Sequence, residues 1–301
     1  MNRSDKHSQS SFTLGATSSL ALGALFISLA APIVKATQVD PNIAAVFRMF
    51  FGALALLLLM LGQSRWRSGW QHGWSSSALI AFFFALDLWF WHRSIHWIGP
   101  GLATLLANFQ VFLLPIAGFV LQSERPGPRF IGGLTLAALG LSLLFGLSWS
   151  EFSSINRWGV IYGLLTAMAY SAYILSLRYF QSKPNAPAAA ARLFQVCVWC
   201  AALLALSTWD IRQEYLTIST QDWLLLAALG VVCQVFGWLL ITRGLPGVAA
   251  AIAGLLLLLQ PALSLGWDFL FFGLSLGMWQ LLGVVLALLG IYIGSVRLAG
   301  K

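Results

Sequence analysis

Two ionisable side chains interrupt apolar segments of this sequence. Asp87 lies in ALDLWFWHRSIHW, residues 85–97, and Arg48 lies in the preceding apolar segment. An ionised side chain near the middle of a bilayer costs roughly 2.5–3.5 kcal/mol on insertion scales, so it normally faces a cavity or an opposite charge. Either the two residues form a structural ion pair, or Arg48 binds the carboxylate of a solute and Asp87 binds its ammonium group.

The tryptophans beside Asp87 have different expected roles. Trp89 and Trp91 are two residues apart, so on a helix they point about 200° apart. Trp91 is four residues from Asp87 and shares its face, which makes Trp91 the candidate for stacking on a solute or covering an organic cation. We expect His92 and Arg93 to extend to water rather than to line a vestibule.

Further polar side chains fall within apolar segments. Amide and phenol groups inside a membrane need partners. Those partners are either a solute or a neighbouring helix. The additional candidates for substrate binding are Asn108, Gln110, Tyr170, Tyr173, Gln195, Gln234 and Gln260. We predict structural or gating roles for Lys35 and for Glu124, which is expected to hold the connection between helices 4 and 5, and we expect Asp268 to be solvated.

Composition identifies the environment of these residues. The chain has 301 residues, of which 59% are hydrophobic and only 9% are charged, whereas soluble domains carry about 25% charged residues. Apolar runs of about 20 residues, each long enough to cross a bilayer, recur along the whole length. The sequence therefore predicts an all-α integral membrane protein with ten transmembrane helices. Their expected spans are 14–35, 41–62, 76–97, 99–121, 128–147, 157–179, 187–208, 221–242, 246–272 and 275–296.

The basic residues indicate orientation. Most of the 17 Lys and Arg residues fall at one set of helix ends when the N-terminus is cytoplasmic, as the positive-inside rule requires. The formal net charge of +8 is thus a topology signal and predicts no nucleic-acid partner. We expect a cytoplasmic tail over 1–13, two cytoplasmic termini and a multi-pass position in the inner membrane.

The two halves of the chain resemble each other. In a register of 150 residues, Gln110 matches Gln260, Gly133 matches Gly283 and Gly140 matches Gly290. We interpret this as a duplication with repeats over 1–150 and 151–301. Because five helices per repeat is an odd number, the second repeat must enter the membrane inverted, which is an architecture typical of transporters. The Gly290 and Gly294 pair is expected to serve internal helix packing rather than dimerisation.

A set of features recurs in a fixed order along the chain: Lys35, Pro41, Arg48, the segment GLATLLANFQ over 101–110, and Glu124 before a glycine-rich helix 5. In these features the sequence resembles the EamA-type transporters of the drug/metabolite transporter superfamily over essentially its whole length. The second repeat departs from the family pattern, because Leu274 stands at the position matching Glu124. The resemblance implies a ten-helix carrier of small organic solutes, often amino acids or related metabolites and often moving outward.

These observations predict an alternating-access exporter that binds its solute near the membrane midplane between the halves. An exchanger or importer of other small metabolites is the first alternative, and a membrane-embedded hydrolase or receptor is a remote one. The sequence GLSLG, 273–277, matches the G-x-S-x-G motif of a nucleophile elbow, but it connects two apolar helices where the motif needs a strand that runs into a helix. We therefore expect no enzyme. We expect no cofactor or metal, contact with membrane lipid, either a monomer or a homodimer, and proton coupling through Asp87 as one of several energy sources.

Overall fold

The computed structural model describes residues 3–61, 72–113, 116, 127–146, 153–181, 183–244 and 256–295. These residues form helices and connecting turns, with no strand among them. In the first half the helices are α1 (Arg3–Ser28), α2 (Ala30–Ala36), α3 (Pro41–Leu61), α4 (Trp74–Ile98), α5 (Pro100–Ala107) and α6 (Pro128–Leu141), which continues into a π-helical turn, Ser142–Gly146.

The second half is also helical. Its helices are α7 (Ser154–Gln181), α8 (Ala189–Leu206), a short 3-10 helix (Arg212–Leu216), α9 (Thr220–Ala228), a π-helix (Leu229–Gly237), α10 (Trp238–Gly244), α11 (Leu259–Phe272) and α12 (Met278–Ser295). The segments α9, the π-helix and α10 follow one another without a break.

The helices have the length and composition of a multi-pass membrane protein. Within the described residues, six helices are long and apolar enough to cross a bilayer: Gly15–Ala36, Pro41–Leu61, Trp74–Ile98, Ser154–Gln181, Ala189–Leu206 and Thr220–Ile241. The same residues include three shorter apolar helices, Pro100–Leu113, Pro128–Leu144 and Met278–Gly294. The predicted span 246–272 includes residues outside the described part, and the number of ten transmembrane helices remains a prediction.

Glycines of α6 and α12 bring the two halves of the chain into close contact. A Cβ atom at Gly133 would lie 2.7 Å from the carbonyl oxygen of Gly290, and one at Gly283 would lie 2.7 Å from that of Gly140. In the register of 150 residues Gly133 matches Gly283 and Gly290 matches Gly140, so the second contact is the first with the two halves exchanged. Glycine is needed here because any side chain would meet backbone, which confirms the expected internal packing of Gly290 and Gly294.

The same exchange relates the other contacts between the halves. The packing of α4 on α7 has its counterpart in α1 on α10, and that of α4 on α8 has its counterpart in α3 on the π-helix. Exchanging the halves leaves three further pairs unchanged, because each helix matches its own partner: α3 with α8, α5 with α11 and α6 with α12. Two halves related by an approximate two-fold axis produce such a pattern.

Polar contacts distinguish the two ends of the bundle. At what we call the Asp268 end, the Lys35 Nζ donates to the carbonyl oxygen of His96 at 2.9 Å, and Asp268 contacts the start of α5. At the opposite Arg192 end, the guanidinium of Arg192 donates to the carbonyl oxygen of Gly73 at 3.0 Å. The Asp268 and Arg192 contacts join helices from different halves of the chain, and the Lys35 contact joins distant parts of the first half.

Candidate functional site

A cavity of about 90 Å³ lies between the two halves. Its wall is built from α1, α3, α4 and α5 with the residues just beyond α5, and from α7, α10 and α11 of the second half. The polar and aromatic side chains that line it are Arg48, Phe84, Asp87, Trp91, Thr104, Asn108, Gln110, Thr166, Tyr170, Trp238 and Gln260. Both halves therefore contribute polar groups to one central site.

Arg48 is the basic side chain of this cavity. It lies in the second turn of α3 and is only 5% exposed. Its Nε donates a hydrogen bond to the Oε1 of Gln234 at 3.1 Å, while its Nη1 has no hydrogen-bond partner in the described part of the chain. Because a buried donor without a partner is costly, Nη1 is available to an acceptor that enters the cavity.

Asp87 is the acidic side chain, near the middle of α4 and 6% exposed. It lines the same cavity as Arg48. Within the described residues no ion pair joins the two, since no guanidinium nitrogen lies within 4.0 Å of its carboxylate. The direct contact on which a structural ion pair depends is thus absent, although both side chains line the same cavity.

The two tryptophans face different ways, as the helical spacing predicts. Trp91 lines the cavity, and the Arg48 guanidinium carbon lies 5.4 Å from the centroid of its ring. Trp89 instead packs against Arg93, whose guanidinium carbon is 3.7 Å from the Trp89 ring centroid. Trp91 is therefore the tryptophan that could contact a solute beside Asp87.

Amides from both repeats also meet at the cavity. Gln110 and Gln260, which match in the register of 150 residues, both line it. Asn108 donates through Nδ2 to the carbonyl oxygen of Thr104 at 2.8 Å, which leaves its Oδ1 to accept. The buried Gln110 Oε1 and Thr104 Oγ1 lack hydrogen-bond partners among the residues described. This part of the wall thus presents hydrogen-bond acceptors.

Three predicted residues do not line the cavity. Tyr173 stacks on Phe84 with ring centroids 4.4 Å apart in a core of apolar side chains. Gln195 accepts from the Ser77 hydroxyl at 2.8 Å and belongs to the Arg192 end. Gln234 accepts a hydrogen bond from Arg48 but does not line the cavity itself. Glu124 lies outside the described residues.

Two expectations about exposure to solvent were wrong. Asp268 is not solvated but 3% exposed, and its Oδ2 accepts from the backbone N–H of Gly101 at 2.9 Å. Asp268 is buried because the first N–H groups of a helix have no partner within that helix, and its carboxylate supplies an acceptor for one of them. His92 does not extend to water either; it is buried with its Nδ1 3.0 Å from the carbonyl oxygen of Pro41. Arg93 donates to the side-chain oxygen of Asn42.

Sequence reasoning missed Thr104, Thr166 and Trp238 at the cavity. Signals in the sequence point to two of the three. Thr104 is four residues before Asn108 and shares its helix face, and Trp238 matches Leu88, another lining residue, in the register of 150 residues. The repeat register therefore adds to what the residue types indicate about the site.

Comparison with known proteins agrees with this architecture. The model of the EamA-like transporter family matches residues 15–146 and again residues 157–296. The chain belongs to the EamA-like transporter family. Two family repeats thus account for most of its length, and members of this family are membrane transporters of small solutes.

A solved structure supports the fold. A protein described as "Crystal structure of protein" is similar to this chain with a TM-score of 0.59 and 19% sequence identity, over 95% of this chain and 98% of that one. At this identity the likeness concerns the fold alone. The comparison with curated protein sequences found no match.

Proposed function

We propose that this EamA-like transporter exports a small amphoteric solute, an amino acid or a related metabolite, by alternating access. One observation carries the proposal: the buried side chains of Arg48 and Asp87 line the same cavity without forming an ion pair. Buried charges that lack a partner are costly. A solute that bears both a carboxylate and an ammonium group would give each charge its partner.

The cavity, at about 90 Å³, is smaller than pockets for drug-sized ligands, which measure about 300–1,000 Å³. This volume is consistent with the small solute that we propose. The acceptor groups of Thr104, Asn108 and Gln110 add hydrogen-bonding positions near the charged pair. Trp91 supplies an apolar face that excludes water from the bound ammonium group.

The architecture supports alternating access. We propose ten transmembrane helices in two inverted five-helix repeats over 1–150 and 151–301. The exchange of contacts between the halves favours this arrangement, and in inverted repeats a site between the halves can open first to one side and then to the other. Both termini and the Arg192 end would be cytoplasmic, in the inner membrane, and the Asp268 end would face outward.

Export is the direction that we propose, and exchange or import of another small metabolite is the alternative. Both use the same cavity, so they differ only in which gradient drives the cycle. The solute's own gradient, exchange and proton transfer through Asp87 are the candidate energy sources. Uptake into proteoliposomes with and without solute inside, and with and without a pH gradient, separates them.

Solute-induced thermal stabilisation of the purified protein tests the site, because a ligand that binds the folded state raises its apparent stability by mass action. The twenty common amino acids are added one at a time. For each that stabilises, the analogue without the amino group and the analogue without the carboxyl group serve as matched controls. We expect both analogues to stabilise less; an analogue that equals its parent would contradict the paired-charge site.

A further inference from the structure

Gln234 lies outside the cavity lining but makes the hydrogen bond that holds Arg48. It is fully buried and lies on the π-helix Leu229–Gly237 of the second half. Its Oε1 accepts from Arg48 Nε, 186 residues away in the chain, at 3.1 Å. The orientation of the basic group in the first half therefore depends on a side chain of the second half.

Close helix packing fixes this contact. A Cβ atom at Gly52 would lie 3.0 Å from Gln234 Cγ, and one at Gly230 would lie 2.9 Å from the carbonyl oxygen of Arg48. The two glycines thus let α3 and the π-helix approach until Gln234 reaches Arg48. π-helical turns are rare in proteins, and many of those that occur lie at functional sites.

The first repeat has no equivalent of this device. The segment that matches the π-helix in the register of 150 residues is 79–87, which is regular α-helix within α4. Phe84 stands at the position that matches Gln234 and stacks on Tyr173. The feature is therefore specific to the half that faces Arg48.

We infer that Gln234 is a positioning residue that orients the Arg48 guanidinium without neutralising its charge. The inference rests on the proposed function, in which Arg48 binds the carboxylate of the solute. An amide oxygen accepts from Nε but leaves the positive charge uncompensated, and Nη1 remains without a partner. A carboxylate at the same position would form an ion pair with Arg48 and compete with the solute. The neutral acceptor thus determines specificity for an anionic group.

Two substitutions separate orientation from charge. Gln234→Met removes the acceptor at similar size, whereas Gln234→Glu keeps an acceptor and adds the competing charge. Each full-length variant is purified and titrated with an equimolar mixture of the twenty common amino acids while its melting temperature is followed. We expect the half-saturating concentration to rise about tenfold for Gln234→Met, the equivalent of one hydrogen bond of about 1.4 kcal/mol. For Gln234→Glu we expect no ligand-induced shift, with a melting temperature in the absence of ligand at or above that of Gln234→Met.

Gln195→Met is the matched control, because Gln195 is also a buried glutamine with hydrogen bonds to other helices but lies away from the cavity. We expect it to melt at a lower temperature with an unchanged half-saturating concentration. A Gln234→Glu variant that binds the mixture like the wild-type protein would overturn the inference, as would a Gln234→Met variant with wild-type affinity.

A second measurement does not depend on a solute. If Gln234 acts through Arg48, then Gln234→Met lowers the melting temperature of the wild-type protein but not that of an Arg48→Met variant. Equal losses in both backgrounds would overturn the positioning role. The two results can also differ. If Gln234→Met and Arg48→Met are coupled but the amino acid mixture does not stabilise the wild-type protein, the proposed function is contradicted, while the hydrogen bond between Gln234 and Arg48 is established.

Discussion

The carboxylate of Asp268 in α11 accepts a hydrogen bond from the backbone N–H of Gly101, the second residue of α5, at 2.9 Å. Gly99, which precedes α5, has a positive φ of 88°, and a Cβ atom there would lie 2.5 Å from Asp268 Oδ2. The contact joins the two halves at one end of the bundle. Under the proposed mechanism it must break when α5 and α11 separate at that end.

Replacing Asp268 is therefore expected to destabilise the protein. Asp268→Leu leaves the Gly101 N–H buried without its acceptor and should lower the free energy of unfolding by about 1–3 kcal/mol. Asp268→Asn retains a side-chain oxygen and should cost less. Thermal melting of the purified variants measures the difference. Asp210→Leu changes an exposed aspartate and is the control; an equal loss there would show that the Gly101 contact contributes nothing.

Asp87→Asn is expected to separate folding from transport. An amide has a similar shape and carries no charge that must be removed from water, so much of the folded protein should remain. Solute-induced stabilisation and flux should both be lost, since the amide provides no negative charge for an ammonium group. Flux into proteoliposomes is compared at matched protein content. Wild-type flux in this variant would exclude Asp87 from the mechanism.

The double variant Asp87→Asn/Arg48→Met distinguishes the solute site from a structural pair. Removing both members of a structural pair should restore yield and transport together. Because no ion pair joins the two side chains, we expect a folded double variant that does not transport. Recovery of transport would favour the structural pair.

The glycine contact between α6 and α12 predicts different effects at adjacent positions. Gly133→Ala places a Cβ atom 2.6 Å from the backbone nitrogen of Gly294, so the helices must move apart, at a cost of about 1–3 kcal/mol. Gly132→Ala is a control in the same helix, because nothing lies within 4 Å of the added atom. Its melting temperature should stay unchanged or rise, since alanine favours helix. Equal melting temperatures for the two variants would contradict the close packing.

The two tryptophans of α4 should differ in their effect on solute binding. Trp91→Leu removes the aromatic face that lines the cavity and should weaken binding by roughly five- to thirtyfold, the equivalent of about 1–2 kcal/mol. Trp89→Leu removes a ring that packs against Arg93 and Tyr162 and should change stability but not affinity. Ligand titrations by thermal shift measure both. Equal affinity losses would assign the effect of Trp91→Leu to general disruption of α4.

The proposed topology predicts two cytoplasmic termini. Tags after residue 1 and before residue 301 should both be protected in intact cells. A cysteine introduced at Glu151, between the repeats, should react with an impermeant reagent added outside, because the five preceding spans place it on the outer side. Termini on opposite sides of the membrane would exclude an even number of spans and with it the inverted repeat.

Local properties of the sequence were enough to predict the membrane environment, the helical class of the protein and several side chains that line the cavity. Apolar length identifies spans because a bilayer has a fixed thickness. The helical period of 3.6 residues assigns Trp91 and Trp89 to different faces. The internal register pairs Gln110 with Gln260, and these two amides meet at the cavity.

Only the tertiary structure decided which groups are partners. Arg48 lines the same cavity as Asp87, yet it is held by Gln234 of the other half. Asp268, near a helix end, is buried against Gly101. Tyr173 stacks on Phe84, and Gln195 hydrogen-bonds to Ser77, and neither lines the cavity. Periodicity determines which face of its own helix a residue occupies. The helix packed against that face depends on side-chain volumes and close glycine contacts between residues far apart in the chain, and no local pattern contains that information.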